Sequence, residues 1–283
     1  MTDAAGLAII AGRGLLPRLL AEDAAARGQP YRVVTFAGVP VAWAADHPRI
    51  EAVFEKTGAL FQALRAAGCG DVVFAGGMAR PKLNPLRFDA SFAKLSLRLL
   101  PALKSGDDAT LRVITETFEA EGFRIRAAHD LITDLTLAEG IPTAAEPSAE
   151  DRSDADRAAD IVRALGALDI GQAAVVAQGI CLATESIQGT DRMLDFVAGS
   201  VAGGGEFLPD PTGARGVMYK APKPGQDWRI DLPAIGPDTV DRTAAAGLAG
   251  IVIAADAVIV LDRKAVIARA DAAGLFLWSR GGS

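Results

Sequence analysis

The constraint that narrows the fold most is an alternation near the N-terminus between short apolar runs and longer segments of helical period. Gly6 to Ala11 is uninterrupted and apolar, Gly12-Arg13-Gly14 breaks it, and Leu15 to Ala26 then places leucines and alanines on one helical face. A buried strand, a tight turn and an amphipathic helix follow from that order. Tyr31 to Phe36 repeats the strand signal, Ala59 to Ala67 the helix, and Asp71 to Ala75 a further strand ending in Gly76-Gly77. Strands that alternate with helices in this way build a parallel sheet covered on both faces, which is an α/β, doubly wound arrangement. A periodic helix from Asp107 to Glu121, with Leu111, Ile114 and Phe118 on one side, leads to a short strand at 123–125.

At 283 residues the chain exceeds one small core and suits two domains. The stretch Thr143 to Asp156 is polar, acidic and proline-containing, so the expected boundary lies near Ala149, giving domains at 1–149 and 150–283. The second half reads as a less regular α/β domain. It has a helix from about Ala155 to Leu165, strands at 173–177, 180–184, 217–220, 250–254 and 257–261, and helices near 239–246 and 263–273.

Charge and composition exclude several classes. A formal net charge of −6 opposes a broad nucleic-acid surface, which needs clustered Lys and Arg to displace counterions. A small phosphorylated ligand needs only one basic pocket and stays allowed. No run of about 18 uncharged apolar residues occurs, so any lipid contact is expected to be peripheral. Cys69 and Cys181 sit in apolar runs and read as reduced core residues, and the segment from Met1 to Ile10 lacks a basic flank, so a cytoplasmic, reducing compartment is expected.

Several groups of residues are candidates for chemistry. Gly12 and Gly14 follow the first strand and can bring backbone N–H groups to a phosphate, or simply form the turn. A nicotinamide site fits poorly, because Pro17 stands where the third glycine of a dinucleotide fingerprint belongs and no ribose-binding acid ends the second strand. Gly76 and Arg80 lie where a parallel strand ends, a place where ligands bind in open sheets. In the second half, Gln178-Gly179 leads through a strand to Glu185 and then Gly189-Thr190-Asp191; Thr190 or Asp191 can also cap the following helix. The loop Lys220-Ala221-Pro222-Lys223-Pro224-Gly225-Gln226-Asp227 holds two lysines and a carboxylate in a rigid frame, with Asp231 shortly after. Such a mixture suits phosphoryl chemistry, in which cations balance phosphate oxygens and carboxylates hold a divalent ion. A solvated charged loop is the plain alternative.

Taken together, Gly-Leu-Ala-Ile-Ile-Ala-Gly-x-Gly-x-Leu-Pro at 6–17, Gly-Asp-Asp at 106–108, Glu185 with Gly-Thr-Asp at 189–191, Lys-Ala-Pro-Lys-Pro at 220–224, Asp-Leu-Pro at 231–233, Ile-Gly-Pro-Asp-Thr at 235–239 and Ala-Gly-Leu-Ala-Gly at 246–250 resemble the LpxI family nearly end to end. The resemblance implies a Rossmann-like N-terminal domain and a mixed α/β C-terminal domain with the ligand cleft between them. It implies a UDP-2,3-diacylglucosamine diphosphatase of lipid A and lipopolysaccharide synthesis, a hydrolase using Mg²⁺ or Mn²⁺ to yield UMP and 2,3-diacylglucosamine 1-phosphate. It further implies a homodimer built largely through the second domain. The family's catalytic aspartate falls on Asp231. Lys220 and Lys223 are then expected to balance phosphate charge, and Asp231, Asp227, Glu185 and Asp191 to be the candidate metal ligands. Gly12, Gly14, Gly76, Arg80, Gln178, Gly179 and Thr190 are expected to meet the substrate. Gln188 departs from the Glu that precedes Gly-Thr-Asp in the family pattern, which directs the metal expectation to Glu185 and Asp191. Contact with the inner membrane is expected to be peripheral.

Overall fold

A computed structural model describes residues 5–78, 81–104, 106–201, 208–210, 213 and 215–282. The chain divides into two units, Met1–Thr133 with Asp227–Asp231, and Asp134–Gln226 with Leu232–Ser283.

The first unit carries a five-stranded sheet of β1 (Gly6–Ala11), β2 (Tyr31–Phe36), β3 (Arg49–Ala52), β4 (Cys69–Ala75) and β5 (Arg124–Ile125). Its order is β3-β2-β1-β4-β5, and every pairing is parallel. Central β1 is buried at all six positions, which is why it reads as an unbroken apolar run rather than an alternating one. Helices α1 (Leu16–Ala26), α2 (Thr57–Ala66), α3 (Ala90–Ala102), α4 (Asp107–Ala120) and the short α5 (Ala128–Leu131) complete the unit. Phe61, Leu64, Phe118, Phe123 and Val72 form an aromatic-rich core, and Ile230 from the returning segment packs against it. Each such buried side chain contributes about 2 kcal/mol over leaving it in water.

The second unit contains α6 (Ala149–Ala167), β6 (Ala173–Ala177), β7 (Ile180–Thr184), α7 (Gly189–Val201), β8 (Val217–Lys220), β9 (Ala234–Ile235), α8 (Pro237–Ala245), β10 (Gly250–Ala254), β11 (Ile259–Val260), α9 (Arg263–Ala273) and β12 (Phe276–Arg280). Its main sheet runs β12-β10-β8-β6-β7. The β8, β10 and β12 strands are parallel, whereas β6 is antiparallel to both β8 and β7, so the sheet is mixed. Strands β6 and β10 are buried throughout and carry the core with Val162, Leu194, Met218 and Ile251. Edge strand β7 is mostly exposed, and Cys181 lies on its surface, contrary to the expectation that both cysteines are core residues; Cys69 is buried.

The change of unit falls at 133/134, whereas composition suggests a boundary near Ala149. Residues 134–148 lack periodicity yet are bound into the second unit: Val260 N–H donates to Leu135 O (2.7 Å), Asp256 N–H to Leu137 O (2.8 Å) and Ser279 N–H to Gly140 O (2.8 Å). The acidic, polar composition around 148–151 has a different cause. The Ser148 hydroxyl accepts from Asp151 N–H (3.1 Å) while the Asp151 carboxylate accepts from Ser148 N–H (2.9 Å), a reciprocal cap that starts α6. Among the described residues no helix is long and apolar enough to cross a membrane.

Candidate active site

In the first unit the loops that leave β1 and β4 are joined to each other. Gly12 N–H donates to Ala75 O (2.8 Å), Arg13 N–H to Gly77 O (2.7 Å) and Gly77 N–H to Arg13 O (3.1 Å). A Cβ at Gly12 would lie 2.5 Å from Gly76 O, and one at Gly76, where φ is +80°, would lie 2.2 Å from Arg13 O. Glycine at both positions is therefore accounted for by the close approach of two loops. What remains for an anion at this end of the sheet is Gly14 and the first turn of α1, whose cap residue Leu15 offers no side-chain acceptor to the helix N–H groups. Arg80 lies outside the described residues.

The second unit gathers Lys220, Thr190 and Glu185. Lys220 ends β8, and its side chain is buried. Its Nζ donates to Thr190 Oγ1 (2.5 Å), and Thr190 Oγ1 donates to Glu185 Oε2 (2.8 Å). The ammonium and carboxylate are 3.6 Å apart. Glu185 directly follows β7, and its backbone is held by Glu185 N–H donating to Ala173 O (2.8 Å). Gly171 makes this approach possible, since a Cβ there would lie 2.1 Å from Glu185 O. Thr190 is in the first turn of α7, so sheet and helix together set the geometry. The buried ammonium is thus compensated through a hydroxyl, with the carboxylate behind it.

Lys223 is also buried and pairs with Asp169 (Nζ to Oδ1, 2.5 Å), just past α6. Its backbone N–H donates to Gln226 Oε1 (2.9 Å), which shapes the proline-rich loop. Gln178 and Gly179, expected to meet substrate, form the β6–β7 hairpin turn with φ of 52° and 77°. Asp154, buried on α6, accepts from Gln178 N–H (2.9 Å) and Gly179 N–H (2.7 Å). The Gln178 amide engages the backbone of Asp210 with both of its ends, so this side chain braces a loop.

The carboxylates expected to bind metal are distributed. Asp191 is largely exposed and lies 3.7 Å from Arg242 Nε. Asp227 belongs to the first unit and accepts from Arg229 Nε (2.9 Å) and Nη2 (2.7 Å), and Arg229 Nη1 also reaches Glu119 on α4 (2.7 Å). The guanidinium hydrogen bonds hold the Asp227 carboxyl below its ordinary range and raise Arg229 above its own, chiefly through Asp227. Asp231 is the last residue of this returning segment; its N–H donates to Asp227 O (3.1 Å), and the chain re-enters the second unit at Leu232. Among the described residues no three His, Cys, Asp or Glu side chains gather into a metal cage. Glu185, Asp191 and Asp227 each have a cationic neighbour, and within either unit the described acids do not build a protein-only ligand set. Mg²⁺ does not require one, because it commonly binds one or two carboxylates together with substrate phosphates and water.

Asp154, Asp169, Arg229 and Glu119 were not anticipated from sequence. A signal existed for Asp154 alone, since helical spacing puts it on the same face as Ala158 and Val162. Asp169 and Glu119 act through partners far away along the chain, Lys223 and Arg229, whereas Arg229 also holds Asp227 two residues before it.

A parallel Rossmann-like unit followed by a mixed α/β unit, with a buried lysine at a strand's carboxyl end, defines a two-domain α/β protein. Residues 6–135 match the model of the LpxI N-terminal domain and residues 138–278 that of the LpxI C-terminal domain. The chain belongs to the LpxI family. It is 42% identical over 276 residues, covering 96% of both chains, to the UDP-2,3-diacylglucosamine pyrophosphatase LpxI of Caulobacter vibrioides.

Proposed function

We propose that this protein hydrolyses the pyrophosphate of UDP-2,3-diacylglucosamine, consuming one water and releasing UMP and 2,3-diacylglucosamine 1-phosphate in lipid A synthesis. The observation that carries the reading is identity sustained over 96% of both chains with a relative named for that activity. The buried Lys220–Thr190–Glu185 group adds a chemical reason. A lysine held at the carboxyl end of β8, with Thr190 and Glu185 behind it, is preorganised to face charge developing on a phosphate oxygen, and needs no rearrangement when it forms. Lys223 keeps its loop in place through Asp169 and adds positive charge nearby in sequence.

Asp231 is the residue assigned to the reacting centre, as the aspartate of Asp-Leu-Pro. It sits where the chain passes from one unit to the other, so the catalytic carboxylate and the lysines belong to different units. Gly14 and the first turn of α1 are proposed to meet the nucleotide or sugar phosphate of the substrate. Mg²⁺ or Mn²⁺, when bound by Asp231 and pyrophosphate oxygens, would neutralise charge and make a water acidic enough to attack near neutral pH. The protein is proposed to act in the cytoplasm as a homodimer through its second unit. Supporting the dimer, edge strand β7 leaves Ile180 exposed, and Ile187 and Phe196 are exposed close by in sequence.

The test is release of UMP from UDP-2,3-diacylglucosamine by purified protein, with and without EDTA, then with Mg²⁺ or Mn²⁺ restored. Asp231→Asn is expected to lower kcat by at least about a hundredfold while leaving the folded spectrum unchanged. Turnover near wild type in that variant removes Asp231 from the chemistry, and undiminished release in EDTA removes the metal.

A further inference from the structure

Helix α3 and the turn before it leave large apolar side chains on the surface of the first unit. The inner face of the helix is accounted for by Phe92, Leu95 and Leu99, which are buried against Leu83, Phe88, Leu103, Val113 and Ile114. Its outer face departs from the polar face of an ordinary surface helix. Leu97 is 77% exposed and Leu100 46%, and Leu86, in the turn at Pro85–Arg87, is 96% exposed. Lys94 precedes Leu97 by three residues on α3, and exposed Lys104 stands in the turn just past the helix, four residues after Leu100; Lys82 is exposed upstream.

The charge around these leucines is one-sided. Among the described residues Lys82, Lys94 and Lys104 enter no ion pair, whereas Arg98 on the same helix is paired with Glu116. The one acid between Lys82 and Lys104 is Asp89, and its carboxylate is used at the helix start, accepting from Phe92 N–H (2.7 Å) and Gly58 N–H (2.9 Å). A local excess of unpaired lysine within a chain of net charge −6, interleaved with exposed leucine, matches an interface that offers phosphate anions over hydrocarbon. A second copy of this acidic chain would have to bring carboxylates to meet the lysines and apolar surface to meet the leucines.

We infer that the outer face of α3, with Leu86 before it, docks the protein on a bilayer surface carrying anionic headgroups. This rests on the reading above that the substrate is a diacylated lipid, which a water-borne enzyme must reach at a membrane. The apolar side chains enter the headgroup boundary, and the lysines stay at the level of the phosphates.

Vesicle co-sedimentation of the full chain, without substrate, is the direct measurement. Wild type is expected to partition onto phosphatidylcholine vesicles containing phosphatidylglycerol, weakly onto phosphatidylcholine alone, and to be released by salt. Replacing Lys94 and Lys104 together by Gln is expected to weaken partition by about fivefold per lysine. Leu97→Ser with Leu100→Ser is expected to weaken it further. Both variants keep wild-type UMP release from substrate in detergent micelles, which shows that they fold and that the reacting centre is intact. If a variant loses micelle activity as well, the single variant Lys94→Gln, at an exposed position, decides by the same partition. Wild type that ignores anionic vesicles, or variants that partition as wild type does, overturns the inference. So does light scattering in which the leucine variant turns an oligomer into a monomer with vesicle binding unchanged. Vesicle binding without UMP release from micelles would sink the hydrolase reading alone, and UMP release without vesicle binding would sink the docking surface alone.

Discussion

At the scale of single residues, Lys220 and Lys223 show how like motif positions receive different tasks. Both are buried, yet Lys220 is compensated through a hydroxyl, whereas Lys223 meets Asp169 directly at 2.5 Å. Removing the Lys220 charge is therefore expected to act on catalysis: Lys220→Met should lower kcat/KM by about a hundredfold or more. Thr190→Val leaves the ammonium and its carboxylate in place and should cost only about tenfold. Equal losses in steady-state assays of the two variants would mean that the hydroxyl, rather than the cation, is the active element. Asp227 carries a pH signature. Its folded pKa lies below the ordinary carboxylate value, so the stability gained from Arg229 is present above about pH 4 and is lost as pH falls through the lower folded value. Asp227→Asn should flatten that part of the acid limb in unfolding measured between about pH 2 and 5, and leave the limb above it unchanged.

At the scale of elements, the alternation of apolar runs and helical periods located β1, α1, β2, β4, β6, β8 and β10 within a residue or two, because strands buried on both faces announce themselves by composition. The short strands β3, β9 and β12 and the helix α3 were not anticipated. β9 has only two residues, too few for a periodic signal, and α3 carries leucine on both faces and a proline in its last turn, which blurs its period. The β6–β7 hairpin shows an element held by a distant side chain. Its strands read plainly, but its turn is secured by Asp154, 24 residues before Gln178. Asp154→Ala strands two turn N–H groups, and thermal unfolding should report a loss of about 2–4 kcal/mol. A loss below about 0.5 kcal/mol would show that the positive-φ turn holds by itself.

At the scale of the whole molecule, the division into units is not a single cut. Asp227–Asp231 returns to the first unit, where Ile230 joins the aromatic core and Arg229 reaches Glu119 on α4. A fragment of residues 1–133 should therefore unfold more readily than the same unit in the intact chain, by roughly 1–3 kcal/mol for the lost apolar and ionic contacts. Hydrogen exchange in α4 provides the comparison. Equal protection in fragment and full chain would make the return segment an ornament of the unit.

What the amino-acid sequence by itself determined is the α/β class, the two-domain plan and family membership. These follow from local apolar period and from short motifs, both written along the chain. What only the tertiary structure decided is the work each group does. Gly12 and Gly76 allow two loops to touch, Gln178 and Gly179 turn a hairpin, Asp227 is held by Arg229, and Glu185 and Asp191 have cationic neighbours. Each of these depends on packing, hydrogen-bond or charge geometry that residue order does not display, and for the glycines and the hairpin the partners are distant along the chain.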